Sequence, residues 1–208
     1  SVRNFALMGH TGSGKTSLID SILFKLGQVD RIGSPENGTS VADWTDEEKA
    51  HKISIWAKPF DGVYTAASRK IRRLVMIDTP GFADFIGAMV TAAEVTDAAL
   101  ITVDASAGIQ VGTQRAWKAA EKRNLPRGIA ITCLDKDDTD FEKTLAEIKE
   151  RWGNERCIPM VLPTSDGKAV DILNCPDNEV PDELKERIKA IKDHLIELAA
   201  ETDDKLME

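Results

Sequence analysis

The sequence predicts an α/β fold in which helices cover both faces of a mainly parallel central sheet. Short apolar runs alternate with longer stretches of helical periodicity, an order typical of such sheets. A glycine-rich turn at residues 9–16 joins the first apolar run to the first helical stretch. A later apolar run, residues 74–77, is followed directly by Asp-Thr-Pro-Gly. With 208 residues the chain is long enough for one domain with a buried core.

Periodicity locates the individual elements. Strands are predicted at residues 2–8, 53–59, 72–77, 98–103, 128–132 and 158–162, and helices at residues 15–26, 83–95, 111–123 and Phe141–Trp152. Residues 27–52 are polar without a clear period, which predicts a long loop of the kind that is often functional. A final helix, residues 181–208, carries an apolar stripe that fits docking on its own domain better than a short coiled coil.

Composition excludes several classes of protein. A net charge of −8 argues against a broad surface for nucleic acid or for anionic membranes. No apolar run approaches the ~18 residues of a membrane span, and no signal peptide is expected. The three cysteines lack Cys-x-x-Cys spacing, which favours free thiols in a reducing cytosol. We therefore expect a cytoplasmic, monomeric protein without a membrane partner and without sequence-specific contacts to nucleic acid.

The strongest motif is GHTGSGKT at residues 9–16, which matches Gly-x4-Gly-Lys-Thr between a predicted strand and a predicted helix. In such a phosphate-binding loop, or P-loop, backbone N–H groups and a helix N-terminus surround phosphates. The context disfavours the alternative of a glycine-rich turn with an exposed lysine. The predicted nucleotide-binding residues are Gly9, His10, Thr11, Gly12, Ser13, Gly14, Lys15, Thr16 and Ser17. Lys15 is expected to reach the β- and γ-phosphates and Thr16 to bind Mg²⁺.

The second motif, Asp78-Thr79-Pro80-Gly81, follows the third predicted strand. Taken alone it is a common turn, but after a P-loop and a strand it predicts that Asp78 holds Mg²⁺ and that the Gly81 N–H bonds the γ-phosphate. Lys15 and Gly81 are therefore predicted catalytic groups. The next residue, Phe82, occupies the position that would face the attacking water.

A third and weaker motif, Thr132-Cys133-Leu134-Asp135-Lys136, follows the fifth predicted strand. Guanine-binding proteins carry Asn-Lys-x-Asp at this place. The Asp135 carboxylate could accept bonds from guanine N1–H and N2–H₂, which adenine lacks. Thr132, Cys133, Asp135 and Lys136 are thus predicted to bind the nucleotide. A strand-ending turn residue is the alternative for Asp135.

Together these stretches resemble the GTP-binding domain of elongation factor G, and more closely its divergent elongation factor G-like relatives. The resemblance extends over nearly the whole chain, through GHTGSGKTSL, DWTDEEKAHKISI, DTPGFADF, DAALITVDASAGIQVGTQRAW and LPRGIAITCLDK. It implies a P-loop NTPase fold with two switch loops, Mg²⁺-dependent GTP hydrolysis, and action on the ribosome through a longer protein with downstream domains. It further implies that residues 158–180 form a shortened insert and residues 181–208 a C-terminal helix.

Several residues depart from the family pattern. Ser54 replaces the threonine of the closed switch but keeps a hydroxyl for Mg²⁺. Phe82 replaces the water-orienting histidine, and no arginine is evidently placed to compensate. Thr132 and Cys133 replace the Asn that buttresses the loop and the Lys that covers the base. Gly12 stands where many translational GTPases have an aspartate. Two functions therefore remain open: a GTPase with slow intrinsic turnover, or a GTP/GDP-binding regulatory module that hardly hydrolyses.

The last base-binding turn has two candidate positions. Residues 163–168, Pro-Thr-Ser-Asp-Gly-Lys, lie where a minimal GTPase would have its Ser-Ala-Lys-like turn. In the elongation factor G pattern this stretch instead begins the insert, and the turn follows the final helix. The match of residues 170–173 to the insert favours the second position.

Overall fold

The computed structural model describes residues 1–66 and 69–201 and divides the chain into two compact units, residues 1–147 and 148–208. Five strands belong to the first unit: β1 (Val2–Gly9), β2 (Lys58–Thr65), β3 (Ile71–Asp78), β4 (Ala99–Asp104) and β5 (Arg127–Thr132). Its helices are α1 (Lys15–Lys25), α2 (Asp46–His51), α3 (Ile86–Val95) and α4 (Val111–Lys122), and α5 (Phe141–Trp152) begins in it.

The five strands form one sheet in the order β2-β3-β1-β4-β5. Strand β1 pairs in parallel with β3 and β4, and β4 with β5, whereas β2 runs antiparallel at the edge. The carboxyl ends of the four parallel strands therefore lie along one edge of the sheet, the usual place for a ligand site in this class. The predicted α/β fold with a mainly parallel central sheet is confirmed.

Helices pack on both faces of this sheet, as predicted. One apolar cluster, which includes Ala6, Met8 and Ile101, packs against residues of α3 and α4 such as Met89 and Ala116. The other combines Leu7 and Met76 of the sheet with α1 residues Ile19 and Leu23. Because β1 is the central strand, its alternating residues reach both clusters. The core thus fixes the position of the turn that follows β1.

Two predictions about residues 27–59 are wrong. The strand predicted at residues 53–59 instead spans Lys58–Thr65, because the N–H groups of Ile55 and Trp56 bond the Glu48 carboxylate rather than a neighbouring strand. The loop predicted at residues 27–52 contains helix α2. The signal for this helix was present, since Thr45 and Glu48 form a capping box of the Thr-x-x-Glu type. The helix predicted at residues 83–95 begins with a 3-10 turn, Ala83–Phe85.

The second unit contains strands β6 (Val161–Pro163) and β7 (Ala169–Asp171), a 3-10 turn (Asp177–Glu179) and helix α6 (Asp182–Ala200). Strands β6 and β7 form their own antiparallel two-stranded sheet. The strand predicted at residues 158–162 is therefore shorter and shifted, and residues 164–168 form a hairpin turn. Part of the predicted final helix, residues 202–208, lies outside the described residues. Within the described ranges, every helix is too short or too polar to cross a membrane.

Candidate nucleotide-binding site

The turn between β1 and α1 has the backbone of a phosphate-binding loop. Gly9, Gly12 and Gly14 have φ of 149°, 73° and 77°, a region that favours glycine. A Cβ atom on Gly9 would lie 2.5 Å from the Thr102 hydroxyl, so no larger residue fits there. Helix α1 begins at Lys15, after the N-cap residue Gly14, without a side-chain cap and without an acidic residue in its first turn. Its first N–H groups lack partners within the helix and are available to an anion.

Lys15 lies across this loop in a buried position. Its side chain is 5% exposed, and its Nζ donates to the His10 carbonyl at 2.6 Å. A Cβ atom on Gly81 would lie 2.6 Å from this Nζ, so the strand-end turn closely approaches the loop. Burial lowers the pKa of Lys15 to about 8, although Asp78 and Asp43 act in the opposite direction. An anionic phosphate would add a further counter-charge to this buried ammonium.

The three predicted metal ligands come together beside Lys15. The Thr16 hydroxyl donates to Asp78 Oδ2 at 3.0 Å and lies 3.0 Å from the Ser54 hydroxyl. Ser54 and Asp78 are 38 and 62 positions away from Thr16 in sequence, so the fold alone joins them. Hydroxyl and carboxylate oxygens are the ligands that Mg²⁺ prefers, and it usually needs only one or two carboxylates.

Asp78 provides the test of whether a cation fits here. Its side chain is buried, and its Oδ1 has no hydrogen-bond partner in the described part of the chain. Burial raises the pKa of Asp78 to about 6, against the effects of Lys15 and Thr16. A buried carboxylate oxygen without a partner is costly unless a ligand completes it. The donor set therefore fits Mg²⁺, although the described residues contain no cluster of three His, Cys, Asp or Glu side chains for a metal.

A buried ionic network next to this site was missed at the sequence level. Asp43 Oδ1 accepts the Ser54 hydroxyl at 2.8 Å and lies 3.4 Å from Lys58 Nζ. Lys58 also pairs with Glu48 at 2.6 Å and donates to the Ala42 carbonyl. Glu48, Asp43 and Lys58 are almost fully buried. The capping-box pattern in the sequence indicates Glu48 alone. The ion pairs give no local sequence signal, because they join residues 10 to 15 positions apart through tertiary contact.

The loop after β5 meets the P-loop through Thr132. The Thr132 hydroxyl lies 3.0 Å from the Ser13 carbonyl and 3.1 Å from the Val103 carbonyl, and can donate to either. The Thr132 Cβ lies 3.4 Å from the place that a Cβ on Gly14 would take. The Thr132 hydroxyl therefore still reaches the P-loop from the end of β5.

The other residues of the third motif differ in exposure and in their contacts. Asp135 is exposed in the turn after β5, where a base could reach its carboxylate. Lys136 instead pairs with Asp104 at 2.8 Å. Burial alone would raise the pKa of Asp104, but the bonds from Lys136 and Ser106 hold it at about 2. Cys133 has φ of 59°, a left-handed conformation that turns the chain after the strand. Lys136 is thus a structural residue of this loop as well as a predicted nucleotide neighbour.

Comparison with known proteins agrees with this geometry. The family model described as the elongation factor Tu GTP binding domain matches residues 1–205. The chain belongs to this family. Over 99% of its length, this member of the elongation factor Tu GTP-binding domain family is 31% identical to elongation factor G of Mycoplasma pneumoniae. A crystal structure of a protein from Thermus thermophilus is similar over 99% of the chain, with 34% identity and a TM-score of 0.86.

The predicted resemblance to elongation factor G and the predicted P-loop NTPase fold are thereby confirmed. The chain spans 31% of the Mycoplasma protein and 32% of the Thermus chain, about a third of each relative.

Phe82 follows the strand-end turn, at the position where the sequence predicts a residue that faces the attacking water. It is 37% exposed and lines a small pocket together with Gly9, Gly81 and Arg115. Arg115 was not foreseen from the sequence, because helix α4 brings it to the pocket from a later part of the chain. The N–H of Gly112, one turn before it, donates to His10 Nδ1 at 3.2 Å and fixes this face of α4 against the P-loop. Burial, Lys15 and Arg115 together lower the pKa of His10.

Proposed function

We propose that this chain is the GTP-binding domain of an elongation factor G-like translational GTPase with slow intrinsic hydrolysis. The observation that carries the proposal is the meeting of Thr16, Ser54 and Asp78 beside the P-loop lysine. Thr16 follows the P-loop lysine, Ser54 lies between α2 and β2, and Asp78 ends β3. Such a site suits a Mg²⁺–nucleotide complex because it offers phosphate-binding amides and metal-binding oxygens side by side.

The residues would act on a phosphate chain in distinct ways. The first N–H groups of α1 and the Lys15 ammonium bind and orient the phosphates, and the Gly81 N–H is expected to stabilise the γ-phosphate. Thr16, Ser54 and Asp78 would hold Mg²⁺, which neutralises charge on the phosphate oxygens when bound. Water attacks the γ-phosphorus while the bond to the β–γ bridging oxygen breaks, releasing phosphate and GDP.

Slow turnover follows from Phe82. A phenylalanine has no atom that can accept a proton from water or orient it by hydrogen bonding, so it can only pack or shield. The electrostatic contributions of Lys15 and the Gly81 amide persist, and the rate is reduced rather than abolished. The same observation favours a second candidate function, a GTP/GDP-binding regulatory module with little or no hydrolysis.

Base recognition and partners complete the proposal. We infer that Asp135, exposed after β5, selects guanine, and that Cys133 and Thr132 border the base. The longer protein would act on the ribosome and in the cytoplasm. Residues 158–180 would be a shortened insert, and α6 the C-terminal helix of the domain.

Single-turnover hydrolysis of saturating GTP and Mg²⁺, with and without ribosomes, separates the two functions. We expect slow hydrolysis by the isolated domain and stimulation by ribosomes for the full-length protein. Tight nucleotide binding with no hydrolysis under either condition would favour the regulatory module. Absence of guanine nucleotide binding would overturn both.

A further inference from the structure

We propose that Lys58 is a positioning residue that sets the Mg²⁺ affinity of the site by fixing Asp43, which in turn orients the Ser54 hydroxyl. The inference rests on the proposed function, because it concerns the same metal site. It assigns a role to a buried lysine on the edge strand β2, outside the motifs that the sequence singled out.

The hydroxyl protons of Ser54 and Thr16 point away from each other. Ser54 donates its proton to Asp43 Oδ1 at 2.8 Å, and Thr16 donates its proton to Asp78 Oδ2 at 3.0 Å. A hydroxyl can bind a cation only through its lone pairs, so its hydrogen must point at another acceptor. With both protons directed away, the two hydroxyl oxygens lie 3.0 Å apart with lone pairs to share with a cation.

Lys58 holds Asp43 in place. Asp43 is 4% exposed and lies in a segment without regular structure, just before α2. The Lys58 ammonium lies 3.4 Å from its carboxylate and also donates to the carbonyl of the preceding residue, Ala42. Lys58 is therefore anchored on the sheet and holds both the side chain of Asp43 and the backbone beside it.

Lys58 also connects this cluster to α2 through Glu48. Glu48 shares the Lys58 ammonium at 2.6 Å, while its other oxygen accepts the N–H groups of Ile55 and Trp56, directly after Ser54. The backbone on the far side of Ser54 is thus held by the same cluster. Without Lys58, the buried carboxylates of Asp43 and Glu48 would lose the ammonium that they share, and we expect the segment from Asp43 to Trp56 to loosen.

The test measures Mg²⁺ dependence rather than activity. Binding of a non-hydrolysable GTP analogue and of GDP is titrated against Mg²⁺ for wild type and Lys58→Met, which keeps the aliphatic stem. We expect the Mg²⁺ concentration for half-maximal binding of the analogue to rise about tenfold or more, the effect of one charge-assisted bond. Arg73→Met is the matched control, because it removes the exposed Arg73–Asp61 ion pair from the same hairpin and should leave the midpoint unchanged.

A double variant, Lys58→Met with Glu48→Gln, distinguishes positioning from simple stability. It removes one buried carboxylate along with the ammonium and should regain part of the lost thermal stability. The Mg²⁺ midpoint should stay shifted, because Asp43 still lacks its anchor. Addition of Asp43→Asn to Lys58→Met should cause little further shift, since both act through one chain of contacts.

Hydrogen exchange provides a readout in the absence of nucleotide. The amides of Ile55 and Trp56 should exchange faster in Lys58→Met than in wild type. An unchanged Mg²⁺ midpoint in Lys58→Met, or a midpoint restored together with stability in the double variant, would overturn the inference. Wild type that binds neither nucleotide would instead overturn the proposed function, so the two failures are distinguishable.

Discussion

Substitution of Phe82 measures how far the rate of phosphoryl transfer depends on a side chain that orients water. Phe82→His would add a donor and an acceptor at the pocket that Gly81 and Arg115 also line. Positioned acid–base groups contribute on the order of 10²–10⁴-fold in rate, and we expect an increase within or below that range. Nucleotide affinity should not change, because the phosphate-binding groups are untouched. Single-turnover hydrolysis with GTP and Mg²⁺ saturating is the measurement.

Phe82→Leu is the matched control, because it changes the size of the side chain without adding a polar atom. It should leave hydrolysis as slow as in wild type. A brisk wild-type rate that Phe82→His leaves unchanged would mean that another group orients the water. Arg115 would then be the first residue to examine, since it lines the same pocket.

Asp135 should determine the choice of base. Because its carboxylate is exposed and Thr132 keeps the loop joined to Ser13, we expect guanine to be preferred over adenine. We expect the absence of a covering lysine at Cys133 to weaken binding by about fivefold, for a loss on the order of 1 kcal/mol. Asp135→Ala should reduce the preference roughly a hundredfold, as two bonds to a charged acceptor are lost. Competition of GDP and ADP against a fluorescent nucleotide measures it.

The neighbouring carboxylate offers a control for this substitution. Asp137→Ala removes an exposed acidic side chain from the same turn and should leave the preference intact. Equal affinity of the wild type for the two bases, or an unchanged preference in Asp135→Ala, would contradict the assignment.

At the scale of elements, helix α2 should make the fold sensitive to acid. Burial alone would raise the pKa of Glu48, but Lys58, the Ile55 N–H and Thr45 lower it below its ordinary value of 4.5. A carboxylate with a lowered pKa in the folded state stabilises fully above pH 4.5, and this contribution is lost as the pH falls through the folded-state pKa. Glu48→Gln should therefore be destabilised by about 3 kcal/mol near neutral pH.

Urea unfolding of wild type and Glu48→Gln over a range of pH checks this prediction. The difference between their free energies of unfolding should be largest near neutral pH and shrink below pH 4.5. A difference that stays constant down to acid pH would show that the ion pair with Lys58 does not determine it.

The sequence predicted local chemistry well and tertiary chemistry poorly. The P-loop was recognisable because eight consecutive residues encode both its backbone and its ligands. Ile53 and Ile55 indicated a strand, but the Glu48 carboxylate takes the N–H groups that such a strand would use. Lys58 gave no signal, since its importance arises only when β2 pairs with β3 and turns it inward. Arg115 was hidden for the same reason, because helix packing alone brings it to the pocket.

For the whole molecule, nucleotide binding should raise thermal stability. A ligand at about 100 times its Kd adds roughly 2.7 kcal/mol. For a chain of this size, that corresponds to an increase in Tm of about 5–10 °C. Lys15→Ala should abolish the increase produced by GDP and Mg²⁺ while the unliganded Tm stays near that of wild type. Thermal unfolding monitored by circular dichroism measures both quantities.

Lys25→Ala is the matched control, because it removes an exposed lysine from the last turn of the same helix. It should preserve the full increase in Tm. If Lys15→Ala were stabilised by GDP as strongly as wild type, the P-loop would not be the nucleotide site.

The hydrogen bond from Thr132 to the Ser13 carbonyl has a consequence for how a ligand is received. This bond joins the segment expected to bind the base to the segment expected to bind the phosphates. The base and the phosphates of a nucleotide would therefore contact two segments that are connected to each other. If binding at one segment also orders the other segment, the second ligand binds without a further loss of the protein's conformational entropy. Guanosine and pyrophosphate offered as separate molecules should accordingly bind with positive cooperativity, and Thr132→Val should uncouple them.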